Sequence, residues 1–116
     1  MKKHVYLALF AICCSSVTLA QSQLEMNESS QKNYKVADTE LNKLYKVLMG
    51  KLDQNEKPLL IASQKDWIKF RDSNCKFEGA MYEGGSMQPM VVTNCLESTT
   101  LKRNSEIKAA IQDRSN

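Results

Sequence analysis

The feature that most constrains the fold of this chain is a series of apolar residues spaced three and four positions apart. The series contains no proline, and its one glycine, Gly50, comes near its end. Such spacing places the apolar side chains along one face of an α-helix. The sequence therefore predicts a long first helix that begins near Ser22 or Asn27. Its apolar face consists of Tyr34, Ala37, Leu41, Leu44, Tyr45, Leu48 and Leu52.

Two further helices are predicted after the turn at residues 53–55. The second begins at Asn55, tolerates Pro58 in its first turn, and ends near Gly79. It carries three aromatic residues at helical spacing, Trp67, Phe70 and Phe77. Trp67 and Phe70 could form a ligand platform, but we interpret them as core residues. The third runs from about Pro89 to Gln112. We therefore expect an all-α fold, a small antiparallel three-helix hairpin or bundle.

The first 20 residues have the pattern of a secretory signal. Two lysines precede a short apolar run, and small residues follow up to Ala20, after which we expect cleavage. The apolar run is too short to span a membrane. Lipoprotein processing at Cys13 or Cys14 is the alternative, but bulky residues precede both cysteines. The predicted product is one domain of residues 21–116 in the periplasm or secreted.

Removal of that segment changes the charge and the available chemistry. Lys2 and Lys3 are lost, so 14 of the 16 basic residues face 13 acidic ones and the formal net charge falls from +3 to +1. The remaining charges alternate in sign, which argues against a nucleic-acid binder. His4, the one histidine, is lost too. Catalysis by a histidine-activated nucleophile and histidine metal sites are thereby excluded, and no cofactor or metal is indicated.

Two cysteines remain, Cys75 and Cys95. A pair of cysteines in an exported protein most often forms a disulfide, and the spacing is not that of a redox-active or zinc-binding pair. The bond would join the end of the second helix to the start of the third. It would close a loop of about 20 residues, which stabilises a fold by roughly 3 kcal/mol.

Charged residues beside Trp67 have two interpretations. They could line a functional pocket, or they could form a network that joins the helices. We favour the network, because an arginine that is half-buried in a small domain needs a partner for its charge. The residues concerned are Asp38, Asn42, Trp67, Arg71, Asp72 and Arg103.

Several motifs, taken in order and spacing, resemble the domain named after the N-terminal part of the lysozyme inhibitor LprI. The similarity runs from about Leu24 to Ile111. The segment Trp-x-x-Phe-Arg-Asp-x-x-Cys, together with a later Cys-Leu, is its most specific part. The residues that carry the resemblance are Met26-Asn27, Ala37-Asp38, Leu41-Asn42, Tyr45, Gln64, Trp67-Ile68, Phe70-Arg71-Asp72, Cys75, Gly85-Ser86, Pro89-Met90, Cys95-Leu96, Thr100 and Arg103.

This resemblance implies a small helical domain of the cell envelope and, for at least one member, inhibition of lysozyme. One position departs from the pattern. Many relatives have a cysteine two residues after the Met-Asn pair, where this chain has Ser29. Any bridge that this cysteine forms elsewhere is absent here.

A glycine-containing loop is the candidate partner-binding site. It comprises Tyr82, Glu83, Gly84, Gly85 and Ser86, between the two cysteines. Glycines allow the backbone to approach a partner closely, and binding residues are often found on loops that a rigid scaffold positions. The alternative interpretation is an ordinary connection between two helices.

Three hypotheses for function follow. The first is an exported protein that binds and inhibits lysozyme-type muramidases, which rests on the resemblance. The second is an envelope interaction or scaffold module with another protein partner and no inhibitory activity. The third is a cell-wall hydrolase, which the missing histidine and the alternating carboxylates argue against.

Overall fold

The computed structural model describes the backbone of residues 2–115 and the side chains of residues 17–115. It contains three α-helices: α1 (Lys2–Lys51), α2 (Glu56–Ala80) and α3 (Gln88–Asp113). The all-α three-helix prediction is confirmed. Among the helices of the described residues, none has the length and apolarity that crossing a bilayer requires.

The three helices alternate in direction, so α1 and α3 run parallel and α2 runs antiparallel to both. Contacts between α1 and α3 advance together along the chain, from Ser30 with Asn94 to Glu40 with Lys108. Contacts between α2 and α3 run in opposite order, from Cys75 with Cys95 to Glu56 with Arg114. α3 packs against both other helices, and α1 and α2 approach each other less closely.

Helix α1 begins earlier than the sequence predicted. It extends without interruption through residues 22–27, where the candidate caps had suggested a start. The predicted start near Ser22 or Asn27 is therefore wrong for the full chain. The segment before residue 20 forms part of the same helix. It extends beyond the end of α2 and the start of α3, and the molecule is therefore 81 Å long. Cys13 and Cys14, the residues of the alternative lipoprotein processing, lie outside the residues whose side chains are described.

The apolar core occupies only the half of the bundle next to the α1–α2 turn. Leu41, Leu48, Leu52 and Ile107 form it, and Leu60 and Trp67 pack against it among other partly buried residues. The first helix thus buries the apolar face that its spacing predicted. This half of the bundle holds the three helices together by apolar burial.

The half of the bundle next to the α2–α3 loop is buried but polar. Ser30, Thr93 and Thr100 are buried there, together with the half-cystine Cys75. The Ser30 hydroxyl donates to Asn94 Oδ1 at 2.8 Å, and Gln31 Nε2 donates to Thr93 Oγ1 at 2.9 Å. Because hydroxyls contribute little apolar area, this half depends on hydrogen bonds and on the disulfide.

The aromatic residues of α2 do not share one environment. Trp67 is partly buried, but Phe70 is 59% exposed and Phe77 is 73% exposed. The expectation that Trp67 and Phe70 belong to the core is therefore wrong for Phe70. The buried residues of α2 are Gln64, Arg71, Cys75 and Gly79.

Candidate functional site

The α2–α3 loop, residues 81–87, is a compact succession of turns. The amide of Tyr82 donates to the Gly79 carbonyl at 3.0 Å, and the amide of Gly85 donates to the Tyr82 carbonyl at 2.9 Å. Gly84 has a φ of 78°, which lies in the left-handed region that favours glycine. The loop therefore has a defined backbone shape.

Exposed apolar side chains surround this loop. Met81 is 87% exposed and adjoins Phe77, while Tyr82 and Met87 are also exposed. With the exposed carboxylate of Glu83 they form what we call the tip surface: Phe77, Met81, Tyr82, Glu83 and Met87. Apolar and aromatic side chains concentrated at one end of a small domain are typical of a protein-binding surface.

The base of the tip surface is fixed by a disulfide and by close helix packing. Cys75 and Cys95 are bonded, with Cα atoms 5.4 Å apart, which confirms the predicted bridge. One turn beyond Cys75, Gly79 is buried against the Val92 side chain so closely that a Cβ atom at residue 79 would overlap it. Both contacts hold the end of α2 against the start of α3 and so position the loop.

Part of α1, within residues 19–27, also lies beside the loop. Leu24, Met26 and neighbouring residues of α1 line a cleft of about 770 Å³ with Ser86, Met87 and Pro89. Ser86, a residue of the predicted loop, therefore faces α1, whereas Tyr82 and Glu83 lie nearer to the end of α2. Ser29, where many relatives have cysteine, is exposed next to the buried Ser30.

Arg71 lies at the centre of the charged residues singled out from the sequence. Its side chain is buried, and Nε donates to Asp72 Oδ1 at 2.9 Å. Nη1 lies 3.6 Å from Asp38 Oδ1 on α1. The guanidinium carbon lies 5.2 Å from the centre of the Trp67 ring and 5.6 Å from that of Tyr34. Both distances suit cation–π contacts, so Arg71 joins α1 to α2.

Arg103 reaches the same indole from α3. Its guanidinium carbon lies 5.8 Å from the centre of the Trp67 ring. Nε donates to Gln64 Oε1 at 3.0 Å, and Nη1 donates to Glu106 Oε2 at 3.0 Å. Arg71 and Arg103 therefore both use Trp67, and the three helices meet at this ring.

Two further residues adjoin this network. Tyr34 contacts Arg71. Burial raises the pKa of the Tyr34 hydroxyl above the usual 10.0. The charge of Arg71 partly offsets this rise, and the charges of Asp38 and Asp72 add to it. Asn42 is exposed and lines a groove of about 270 Å³ between α1 and α2, together with Asp38 and Arg71. Tyr34 and Gln64 were not predicted as network members, although Tyr34 lies one turn before Asp38 on the same helix.

The two arginines beside Trp67 are engaged within the chain. Arg71 and Arg103 are engaged with side chains of the same chain, so they are not held ready for a substrate. Within the described residues, no group of three or more histidine, cysteine, aspartate or glutamate side chains could hold a metal ion. The tip surface offers exposed apolar side chains that a partner could contact.

Comparisons with known proteins agree with the resemblance seen in the sequence. A protein of Rhizobium meliloti (strain 1021), itself uncharacterized, is 31% identical, and the alignment covers 90% of this chain and 92% of that protein. The crystal structure of a DUF1311 family protein from Pseudomonas putida KT2440 superposes with a TM-score of 0.66 at 20% identity. It covers 75% of this chain and 91% of that one, and so shows a shared fold. Residues 13–107 match the family described as lysozyme inhibitor LprI, and the chain therefore belongs to that family.

Proposed function

We propose that this protein is exported to the cell envelope, where it binds and inhibits a lysozyme-type muramidase. The observation that carries the proposal is the family match over residues 13–107. In this proposal the protein is a non-catalytic inhibitor whose partner is the enzyme itself.

The tip surface is the part of the molecule best suited to occlude an enzyme cleft. It stands at one end of a narrow bundle, and its loop backbone is held by the disulfide at its base. Met81, Phe77 and Tyr82 supply apolar contact area, and aromatic side chains of this kind often dominate binding energy. Glu83 supplies a carboxylate to the basic surface or the catalytic groups of the muramidase.

Export would also clear the space beyond this surface for a large partner. In the full chain, α1 continues past the loop, beside which Leu19 and Ala20 lie. Cleavage after Ala20 would remove the part of α1 that extends beyond the tip. Helix α1 would then begin at the level of Ser86 and Pro89. We therefore propose that residues 21–116 are the inhibitory form, with the oxidising envelope maintaining the disulfide.

Substitutions at the tip test this assignment. The double variant Tyr82→Ala/Glu83→Ala and the single variant Phe77→Ser are each titrated into muramidase and cell-wall substrate, and the lysis rate is followed. We expect the half-inhibitory concentration to rise about tenfold or more, because loss of a central interface side chain commonly weakens binding to that degree.

Leu59→Ser provides the matched control. Leu59 is 70% exposed on the same helix, at the opposite end of the bundle from the tip. This variant should inhibit as the unchanged protein does. Inhibition that survived both tip substitutions would remove the tip surface from the proposal, and binding to muramidase without any inhibition would favour the interaction-module hypothesis.

A further inference from the structure

A second concave surface lies between α1 and α3, on the side of the bundle away from α2. It is a groove of about 640 Å³, and no residue of α2 lines it. Its floor is formed by Ala37 and Asn104, and its walls carry Val36 and Leu101. Val36 is 66% exposed and Leu101 is 50% exposed, so the groove presents apolar side chains to solvent.

The rim of this groove is strongly basic. Lys32, Lys35, Lys43 and Lys108 line it, and Glu40 is its one acidic residue. Glu40 pairs with Lys108 at 3.7 Å. Among the described residues, the other three lysines have no carboxylate within 4.0 Å. The groove thus carries a local excess of three positive charges, although the charges of the domain as a whole nearly balance.

A buried asparagine ties the two helices together beneath the groove. Asn104 is buried, and its Nδ2 donates to the Ala37 carbonyl at 3.1 Å. Its Oδ1 atom is buried without a hydrogen-bond partner, the one such side-chain atom in the described part of the chain. The Asn104–Ala37 bond joins α3 to α1 and so holds the two walls of the groove at a fixed separation.

The shape of the groove suits an α-helix. It is bounded by two parallel helices and extends along α1 from Lys32 to Lys43, which is roughly 16 Å or three helical turns. Side-chain ridges of one helix pack into the grooves between others, and an amphipathic helix commonly binds to a groove of this kind.

We propose that this groove is a docking site for an acidic amphipathic helix of a protein partner. The apolar face of that helix would pack on Val36, Ala37 and Leu101. Its acidic residues would meet Lys32, Lys35 and Lys43 at the rim. The charge of this groove differs from that of the tip surface, so the two sites bind different partners and the groove does not depend on the inhibitory function.

A synthetic helical peptide tests the proposal. The probe has about 15 residues, with leucines three and four apart and glutamates beside them. Its fluorescence anisotropy is followed in low salt as the full-length protein is added. We expect saturable binding that weakens as salt is added, because exposed ion pairs are screened. The variant Lys35→Glu/Lys43→Glu should bind the probe at least tenfold more weakly.

Two control variants separate a specific groove from general charge. Lys69→Glu/Lys76→Glu makes the same change in net charge on the exposed surface of α2 and should leave the affinity unchanged. Val36→Gln/Leu101→Gln keeps the charge and should weaken binding severalfold. Inhibition of muramidase by all three variants is measured in parallel, and its loss or retention does not bear on the groove.

The proposal is overturned if the probe shows no saturable binding, or if both lysine-pair variants weaken it equally. It is also overturned if poly-glutamate, which has charge without an apolar face, binds as tightly as the probe. A version of the probe with lysine in place of each glutamate should not bind.

Discussion

At the scale of single residues, Arg71 is a buried charge that joins α1 to α2. It is 7% exposed and contacts Asp38, Asp72, Trp67 and Tyr34. A buried guanidinium is stabilising only if its charge is satisfied, and removal of such a group leaves its partners unpaired. Asp38 and Asp72 are partly exposed to water, which reduces that penalty.

Arg71→Ala should lower the melting temperature by several degrees, since each kcal/mol lost from a domain of this size corresponds to roughly 4–8 °C. Thermal unfolding followed by circular dichroism measures this. Arg114→Ala is the control, because its ion pair with Glu56 lies at the surface and should contribute little. An unchanged melting temperature together with lost muramidase binding would instead place Arg71 in the binding site.

Tyr34 should make stability fall in alkaline solution. Burial raises the pKa of its hydroxyl above the ordinary 10.0, so the folded state holds this proton more tightly than the unfolded state does. The resulting stability is fully present below pH 10 and is lost as the pH rises above it. In Tyr34→Phe, the free energy of unfolding measured in denaturant should therefore fall less between about pH 9 and pH 11. An identical fall in both proteins would contradict this.

At the scale of the helices, the face of α2 shows how far the sequence could predict the site. Spacing alone grouped Trp67 with Phe70 and Phe77, but the disulfide requires Cys75 to face α3. Phe77 follows Cys75 by two residues, about 200° around the helix, and must therefore point outward. The cysteine pairing therefore predicts that Phe77 is exposed at the tip, whereas apolar periodicity alone grouped it with Trp67.

Helix boundaries were predicted less well than helix positions. The start of α2 is stabilised by Asp53, whose Oδ1 accepts from the amides of Asn55 and Glu56 at 2.8 Å each. Asn55 itself, the predicted cap, makes no capping bond through its side chain. Both residues are good caps by composition, and only the path of the turn decides between them.

Gly79→Ala should destabilise the protein by about 1–3 kcal/mol, as overpacking commonly does. The added methyl group would overlap Val92, a β-branched side chain with little freedom to rotate away. Denaturant unfolding measures the loss. Val92→Ala in the same protein should restore part of it.

Gly50→Ala is the matched control, because no atom lies within 4 Å of the added Cβ and α1 is helical there. It should leave stability unchanged or raise it by up to about 1 kcal/mol. Equal losses from the two glycine substitutions would show that packing against Val92 is not the cause.

The disulfide matters because it lies in the half of the bundle that lacks an apolar core. Cys75→Ser/Cys95→Ser should reduce the free energy of unfolding by roughly 3 kcal/mol. Hydrogen exchange should rise first at residues 75–95, while amides near Leu48 and Ile107 remain protected. Uniform loss of protection along the whole bundle would contradict this division into two halves.

At the scale of the whole molecule, different interactions hold the helices together at different positions along the bundle. Apolar residues around Ile107 and Leu48 hold one end, arginines on Trp67 join the three helices in the middle, and the disulfide fixes the other end. The fold class could be predicted from the spacing of the apolar residues, and the disulfide from the number of cysteines. The tip surface and the α1–α3 groove could not be predicted in this way, because each is built from residues that are distant in sequence or were grouped with Trp67 by spacing.

Charge balance also bears on how the protein would bind a muramidase. With a predicted net charge of +1 after export, the domain has no long-range attraction for a basic enzyme. Binding at the tip would depend on short-range apolar contact, and inhibition should change little between low and physiological salt. Binding of an acidic helix to the basic α1–α3 groove should instead weaken as salt is added.

The most direct measurement is a titration of purified residues 21–116 into a muramidase acting on cell walls, with the lysis rate as the readout. We expect the protein to slow lysis in a dose-dependent way that saturates near one inhibitor per enzyme. This effect should be lost in Tyr82→Ala/Glu83→Ala. An unchanged lysis rate at a large excess of the protein would contradict it, as would lysis by the protein alone.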